Sequence, residues 1–176
     1  MWRCYGRARE VNVSPEQFNE LPTDEARKRL AHCVALADWI EKLVAARPFS
    51  SLEELLQTGD RLARGWDGQA LDAALAAHPR IGETACGDGK EAALSRSEQS
   101  SVKETGDELK EALRSGNAAY EQRFGRVFLI RAKGRSGEEM LAELRRRLGN
   151  EAQREQQEAL DQLREITLLR LRETFQ

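Results

Sequence analysis

The chain holds two histidines among 176 residues, and one of them, His78, stands directly before a proline. In AHPRIGE, residues 77–83, Pro79 bars His78 from helical geometry and fixes its backbone. An imidazole titrates near neutral pH, so a histidine held at a helix end can serve as general acid or base. The same position also suits plain capping, where a protonated histidine gains a few tenths to about 1 kcal/mol from the helix dipole. Glu98, in SRSEQS, poses the same choice. Ser95 and Glu98 fit the S-x-x-E capping box, but a first-turn carboxylate can also point into a cleft with its charge favoured by the dipole. A histidine and a carboxylate can share the proton transfers of one reaction. His32 lies inside the periodic segment RLAHCVAL and reads as a packed or surface residue. GxSxG, HExxH and P-loop patterns are absent, and GDG at 87–89 has no preceding strand to make it a phosphate loop.

The elements that must position these residues read as helices. Leu, Ala, Glu, Arg and Gln recur throughout, the vocabulary of helix formers. Ser14, Pro15 and Gln17 form a capping box with proline at the first helical position, and a second helix begins near Thr23 or Asp24, after Pro22. Leu36, Trp39, Ile40, Leu43 and Val44 repeat at helical spacing up to Arg47-Pro48. Ser50 and Ser51 before Glu53 and Glu54 make two overlapping capping boxes, opening a helix through Leu52, Leu55, Leu56 and Leu62. Past the Asp67-Gly68 turn, a short helix with Leu71, Ala74 and Leu75 delivers the chain to His78. Residues 82–90 read as a glycine-rich surface loop. A helix from about Ser95 crosses Gly106 as a weak spot, and a separate helix covers Asn117 to Phe124, stopped by Gly125. VFLI, residues 127–130, is too isolated to build a sheet and reads as a buried extended or helical segment. SGEE at 136–139 caps a helix through Met140, Leu141, Leu144 and Leu148 to Gly149. One arginine of Arg145, Arg146 and Arg147 is expected to turn inward from an otherwise solvated helix end. A long last helix from Asn150 buries Leu160, Leu163, Ile166 and Leu169. The expectation is one all-α domain over residues 1–176, an irregular bundle of about seven to nine helices, with 1–13 a loosely packed extension.

Composition narrows the function. The formal net charge is −2, and arginines interleave with glutamates, so nothing recruits nucleic acid. No apolar run approaches the roughly 20 residues of a membrane span, and MWRCYGRAREV lacks the apolar core of a signal peptide. Cys4, Cys33 and Cys86 form no CxxC and no even set, which argues against a disulfide framework and for a cytoplasmic protein. The two histidines offer no zinc spacing, so no metal is expected.

Several stretches occur together in a fixed order: ARPFSS at 46–51, AHPRIGE at 77–83, S-x-x-EQ at 95–99, N-x-x-Y-x-x-RFG at 117–125, VFLI, RLGN at 147–150 and LLRL at 168–171. With the upstream HC-x5-W of His32, Cys33 and Trp39, roughly residues 14–172 resemble bacterial 2-oxo-4-hydroxy-4-carboxy-5-ureidoimidazoline (OHCU) decarboxylases of urate breakdown. The resemblance implies an all-helical, usually dimeric enzyme without cofactor that converts OHCU to (S)-allantoin and CO2. It implies His78 and Glu98 as catalytic residues. For substrate binding it implies Pro79, Ser95, Gln99, the backbone of Phe128, Leu129, Ile130, Arg131 and Ala132, and Arg170. Two departures stand out. Arg126 and Arg131 flank VFLI where many relatives carry apolar or small residues, which bears on the polarity of that wall. The chain also ends RETFQ, without a peroxisomal address.

Overall fold

The computed structural model describes residues 12–76 and 106–176. These residues form eight helices. Side-chain caps fix several of the starts. At α1 (Pro15–Glu20) the Ser14 hydroxyl accepts from the Gln17 N–H while Gln17 accepts from the Ser14 N–H, the predicted capping box. α2 (Thr23–Ala31) starts after Pro22, and α3 (Ala37–Ala45) carries the predicted apolar face of Trp39, Ile40, Leu43 and Val44. At α4 (Leu52–Ala63) the overlapping boxes resolve into one cap. Ser51 accepts from the Glu54 N–H, and the Glu54 carboxylate reaches back to the N–H and hydroxyl of Ser50 at 2.7 and 2.6 Å. Those bonds hold Glu54 below its ordinary carboxyl range. Asp67 caps α5 (Gly68–Leu75), which ends three residues ahead of His78.

The second half differs from expectation in several respects, and the part of the helix expected from about Ser95 up to residue 105 lies outside the described residues. A single helix, α6 (Asp107–Phe124), replaces the predicted break before Asn117, and it starts at Asp107 with Gly106 as its extended N-cap. Gly116 sits inside this helix because a Cβ there would lie 2.5 Å from Leu144 Cδ2. The glycine lets α6 approach α7 (Gly137–Leu148) closely, so packing overrides its local cost. Gly125 ends α6 in the left-handed region at φ 70°, where glycine carries no Cβ penalty. Ser136 caps α7 as predicted, and α8 (Ala152–Thr174) is the long last helix. Of its predicted apolar face, Leu163 and Ile166 are buried, whereas Leu160 and Leu169 stay half-exposed.

Two apolar clusters make the core. The larger joins α1–α5 to α8 through residues such as Phe18, Leu30, Trp39, Leu55, Leu71, Leu163 and Leu171. Gly59 lets α4 meet α8, since a Cβ there would lie 3.0 Å from Leu171, and its carbonyl accepts from the Trp39 indole at 3.1 Å. Cys33 is a buried thiol in this cluster, in no disulfide. The smaller cluster joins α6 and α7 through Leu113, Tyr120, Met140 and Leu144. Residues 127–132 run between the two without helix or strand, with Leu129 in the larger cluster and Phe128, Ile130 and Ala132 in the smaller. This alternation is the period of two that an extended chain imposes, so the extended alternative for VFLI holds.

Candidate active site

The predicted site residues divide sharply. His78, Pro79, Ser95, Glu98 and Gln99 lie outside the described residues, as does the 82–90 loop. Phe128, Leu129, Ile130 and Ala132 are all buried, at 5% exposure or less, and Arg170 on α8 is fully buried. Arg131 is half-buried. Because the four apolar side chains are spent on the core clusters, the segment can face a small molecule with its backbone groups and with the half-buried Arg131 side chain. Such groups orient a polar ligand when a rigid scaffold holds them.

The scaffold is a buried polar network. Arg147, near the end of α7, donates through Nη1 to the Leu129 carbonyl at 2.8 Å. Its Nε donates to Glu155 Oε1 at 2.8 Å, and Nη2 binds the same oxygen. The Tyr120 hydroxyl donates to that oxygen at 2.6 Å, and the Asn150 amide donates to Glu155 Oε2 at 3.0 Å. The guanidinium lies 4.6 Å from the centroid of the Phe128 ring, a cation–π distance. Both Arg147 and Glu155 are 1% exposed. Burying charges this deeply is tolerable only when pairing and hydrogen bonds satisfy them, and here three helices and the wall supply the partners. Burial, and then the bond to Glu155, pushes the Tyr120 hydroxyl well above the ordinary phenol range, so it stays a donor. Arg147 is thus the inward-turned member of the arginine run.

Sequence reasoning singled out none of Tyr120, Glu155 or Asn150 as a support for the wall. A usable signal existed: Arg147 continues the spacing of Met140 and Leu144, and Glu155 that of Ala159, Leu163 and Ile166. A charge in register with an apolar stripe must find a buried partner.

Further along, the Arg131 N–H donates to Gln162 Oε1 at 2.9 Å, and its guanidinium lies 3.4 Å from Glu165. Lys133 pairs with Glu173. The segment therefore runs beside α8, the helix that bears Arg170. Arg126 pairs with Asp72 at 3.3 Å. Both arginines that depart from the family pattern thus face carboxylates of this chain. A cleft of about 490 Å3 opens between α4 and α8, with Glu53, Asp60 and Glu165 against Arg131 and Arg172 over a floor of Leu56, Leu168 and Leu169. Of the predicted site residues that are described, only Arg131 lines it, so it is not where those residues converge. Among the described residues, no group of three or more His, Cys, Asp or Glu could hold a metal ion. No described helix is long and apolar enough to cross a membrane.

Fold and wall together define the class: an all-α domain in which a backbone segment braced by side chains of α7 and α8 runs beside the long helix that bears a buried arginine. Comparison with known proteins narrows it further. Residues 19–172 match the family model of OHCU decarboxylase. The chain is 30% identical to the 2-oxo-4-hydroxy-4-carboxy-5-ureidoimidazoline decarboxylase of Haloferax volcanii, over 91% of this chain and 95% of that one. It is 31% identical to the protein of the same name from Amia calva, over 96% and 94%. A crystal structure of OHCU decarboxylase in the presence of (S)-allantoin matches with a TM-score of 0.70 and 27% identity, covering 81% of this chain and 94% of that one. The chain belongs to the OHCU decarboxylase family.

Proposed function

We propose that the chain decarboxylates OHCU to (S)-allantoin and CO2 in urate breakdown, with His78 and Glu98 carrying the proton transfers. The family match across residues 19–172 carries this reading, and the braced backbone wall at 127–132 supports it. In the reaction the bond to the carboxylate breaks and its electron pair moves into the adjacent C=N unit, whose nitrogen takes a proton. The hydroxyl then loses its proton to become a carbonyl while a proton adds to one face of the ureido-bearing carbon. The substrate supplies its own electron sink, so the chemistry asks for neither a metal nor an organic cofactor.

What the protein must add is orientation and proton management. His78 takes the side of the hydroxyl or the leaving carboxylate, and Glu98 places or repels charge beside it, each contributing roughly 10²–10⁴-fold in rate. Pro79, Ser95 and Gln99 complete the binding set with the backbone from Phe128 to Ala132, which pairs with the ring amides. Arg170, fully buried on α8, anchors an anionic or carbonyl oxygen with its rigid donor fork. The same reading makes the enzyme a cytoplasmic homodimer, on the strength of the family resemblance and the cysteine usage. The test couples urate oxidation and hydroxyisourate hydrolysis to this protein and follows circular dichroism. The expected result is (S)-allantoin forming faster than by spontaneous decay, and an unchanged rate would refute the assignment.

A further inference from the structure

We infer that Arg147 and Gln162 are positioning residues that fix which edge of the 127–132 backbone is offered to the substrate. The inference rests on the proposed function and adds to it the residues that orient the wall. In an extended segment the N–H and C=O of one residue point to one edge, and those of the next residue to the other. The Leu129 carbonyl is held by Arg147 Nη1 at 2.8 Å, and the Arg131 N–H by Gln162 Oε1 at 2.9 Å. Leu129 and Arg131 are two residues apart, so both clamps grip the same edge. The opposite edge, with the N–H and C=O of Ile130, is the one directed away from Arg147 and Gln162. An N–H and a C=O on one residue are complementary to the C=O and N–H of a ureide ring.

The two clamps work through different supports. Arg147 is locked by Glu155, which Tyr120 also holds, and by the Phe128 ring. Gln162 stands on α8, two turns ahead of Arg170, and is only half-buried. The Arg131 N–H needs an acceptor, which sets Oε1 rather than the amide nitrogen toward it. Removing the Gln162 acceptor frees that edge to rotate without disturbing the core, whereas removing Arg147 also threatens the fold. Gln162 therefore gives the cleaner test.

The experiment compares wild type, Gln162→Met, Gln162→Glu and Arg147→Lys in steady-state decarboxylation, with melting temperature and hydrogen exchange of the Arg131 amide read alongside. Gln162→Met keeps the volume and removes the acceptor. Its kcat/KM is expected to fall about tenfold, mainly through KM, because the lost interaction orients bound substrate. Its melting temperature should stay near wild type while the Arg131 amide exchanges faster. Gln162→Glu retains an acceptor and should return kcat/KM to within about threefold of wild type, as expected where one hydrogen bond is restored. Arg147→Lys keeps the charge but cannot span Glu155 and the Leu129 carbonyl together, so kcat/KM should fall even where the protein stays folded. An active wild type with Gln162→Met unchanged, or with Gln162→Glu as impaired as Gln162→Met, overturns the positioning role and leaves the decarboxylase reading standing. A wild type no faster than spontaneous decay overturns that reading, and the positioning role with it.

Discussion

Arg146 and Arg147 are neighbours on α7, and each binds carboxylates, but they occupy opposite environments. Arg146 is 46% exposed in its side chain and bridges Glu143 and Glu158 at 2.8 and 2.6 Å. Arg147 is 2% exposed in its side chain and holds Glu155, the Leu129 carbonyl and the Phe128 ring. Water competes for every bond in the first network and for almost none in the second. A surface bridge contributes about 0–1 kcal/mol, whereas breaking a buried pair costs about 3–5 kcal/mol because a charge is left stranded. The count of ion pairs is similar, and the consequences are not. The two networks meet at Glu158 and Asn150, but only the Arg147 side reaches the backbone wall of the proposed site.

Substitutions in the two networks should separate them, from the largest effect to the smallest. Arg147→Met leaves Glu155 charged and buried, and should lower unfolding free energy by about 3–5 kcal/mol in urea denaturation. Tyr120→Phe removes one donor to a charged acceptor, for which about 1.5–3 kcal/mol is expected. Arg146→Gln should cost the least of the three and leave kcat/KM unchanged. If it proved as damaging as Arg147→Met, burial would not be what separates the two arginines.

Acid sharpens the same comparison. The hydrogen bond from Arg146 is the main cause that holds the Glu158 carboxyl down at about 2, against the opposing effect of its burial. A carboxylate whose folded value is depressed stabilises the protein above its unfolded value of about 4.3. That contribution is lost as pH falls towards the folded value of about 2. The stability gap between wild type and Glu158→Gln should therefore be present at pH 7 and close between about pH 4.3 and 2, seen in melts across that range. A gap that widens in acid would contradict the pairing.

Much of the helical layout was legible in the sequence because caps and apolar spacing are local. Ser14 with Gln17, Ser51 with Glu54 and Ser136 with Glu139 all cap as written. The break expected before Asn117 failed because its cause is not local: Gly116 is held inside α6 by the approach of Leu144 from another helix. Within the Arg145–Arg147 run the sequence announced that one arginine would turn inward, and the register with Met140 and Leu144 selects Arg147. Glu155 as its partner, and Gln162 as the acceptor for the Arg131 N–H, come from α8 and could not be assigned until the chain was folded. The backbone of Phe128 to Ala132 as a binding wall was already implied by the family resemblance, and the fold adds that four of the five side chains are spent on the core. His78 and Glu98 remain sequence assignments, since both lie outside the described residues.

In the proposed reaction His78, the histidine before Pro79, and Glu98 carry the decarboxylation. That assignment is tested most directly by the rate of (S)-allantoin formation, followed by circular dichroism, for His78→Ala and Glu98→Ala beside wild type. Each substitution should remove about 10²-fold or more of the enzymatic rate while leaving the far-ultraviolet helical signal intact. Near-full activity in either variant would take that residue out of the mechanism.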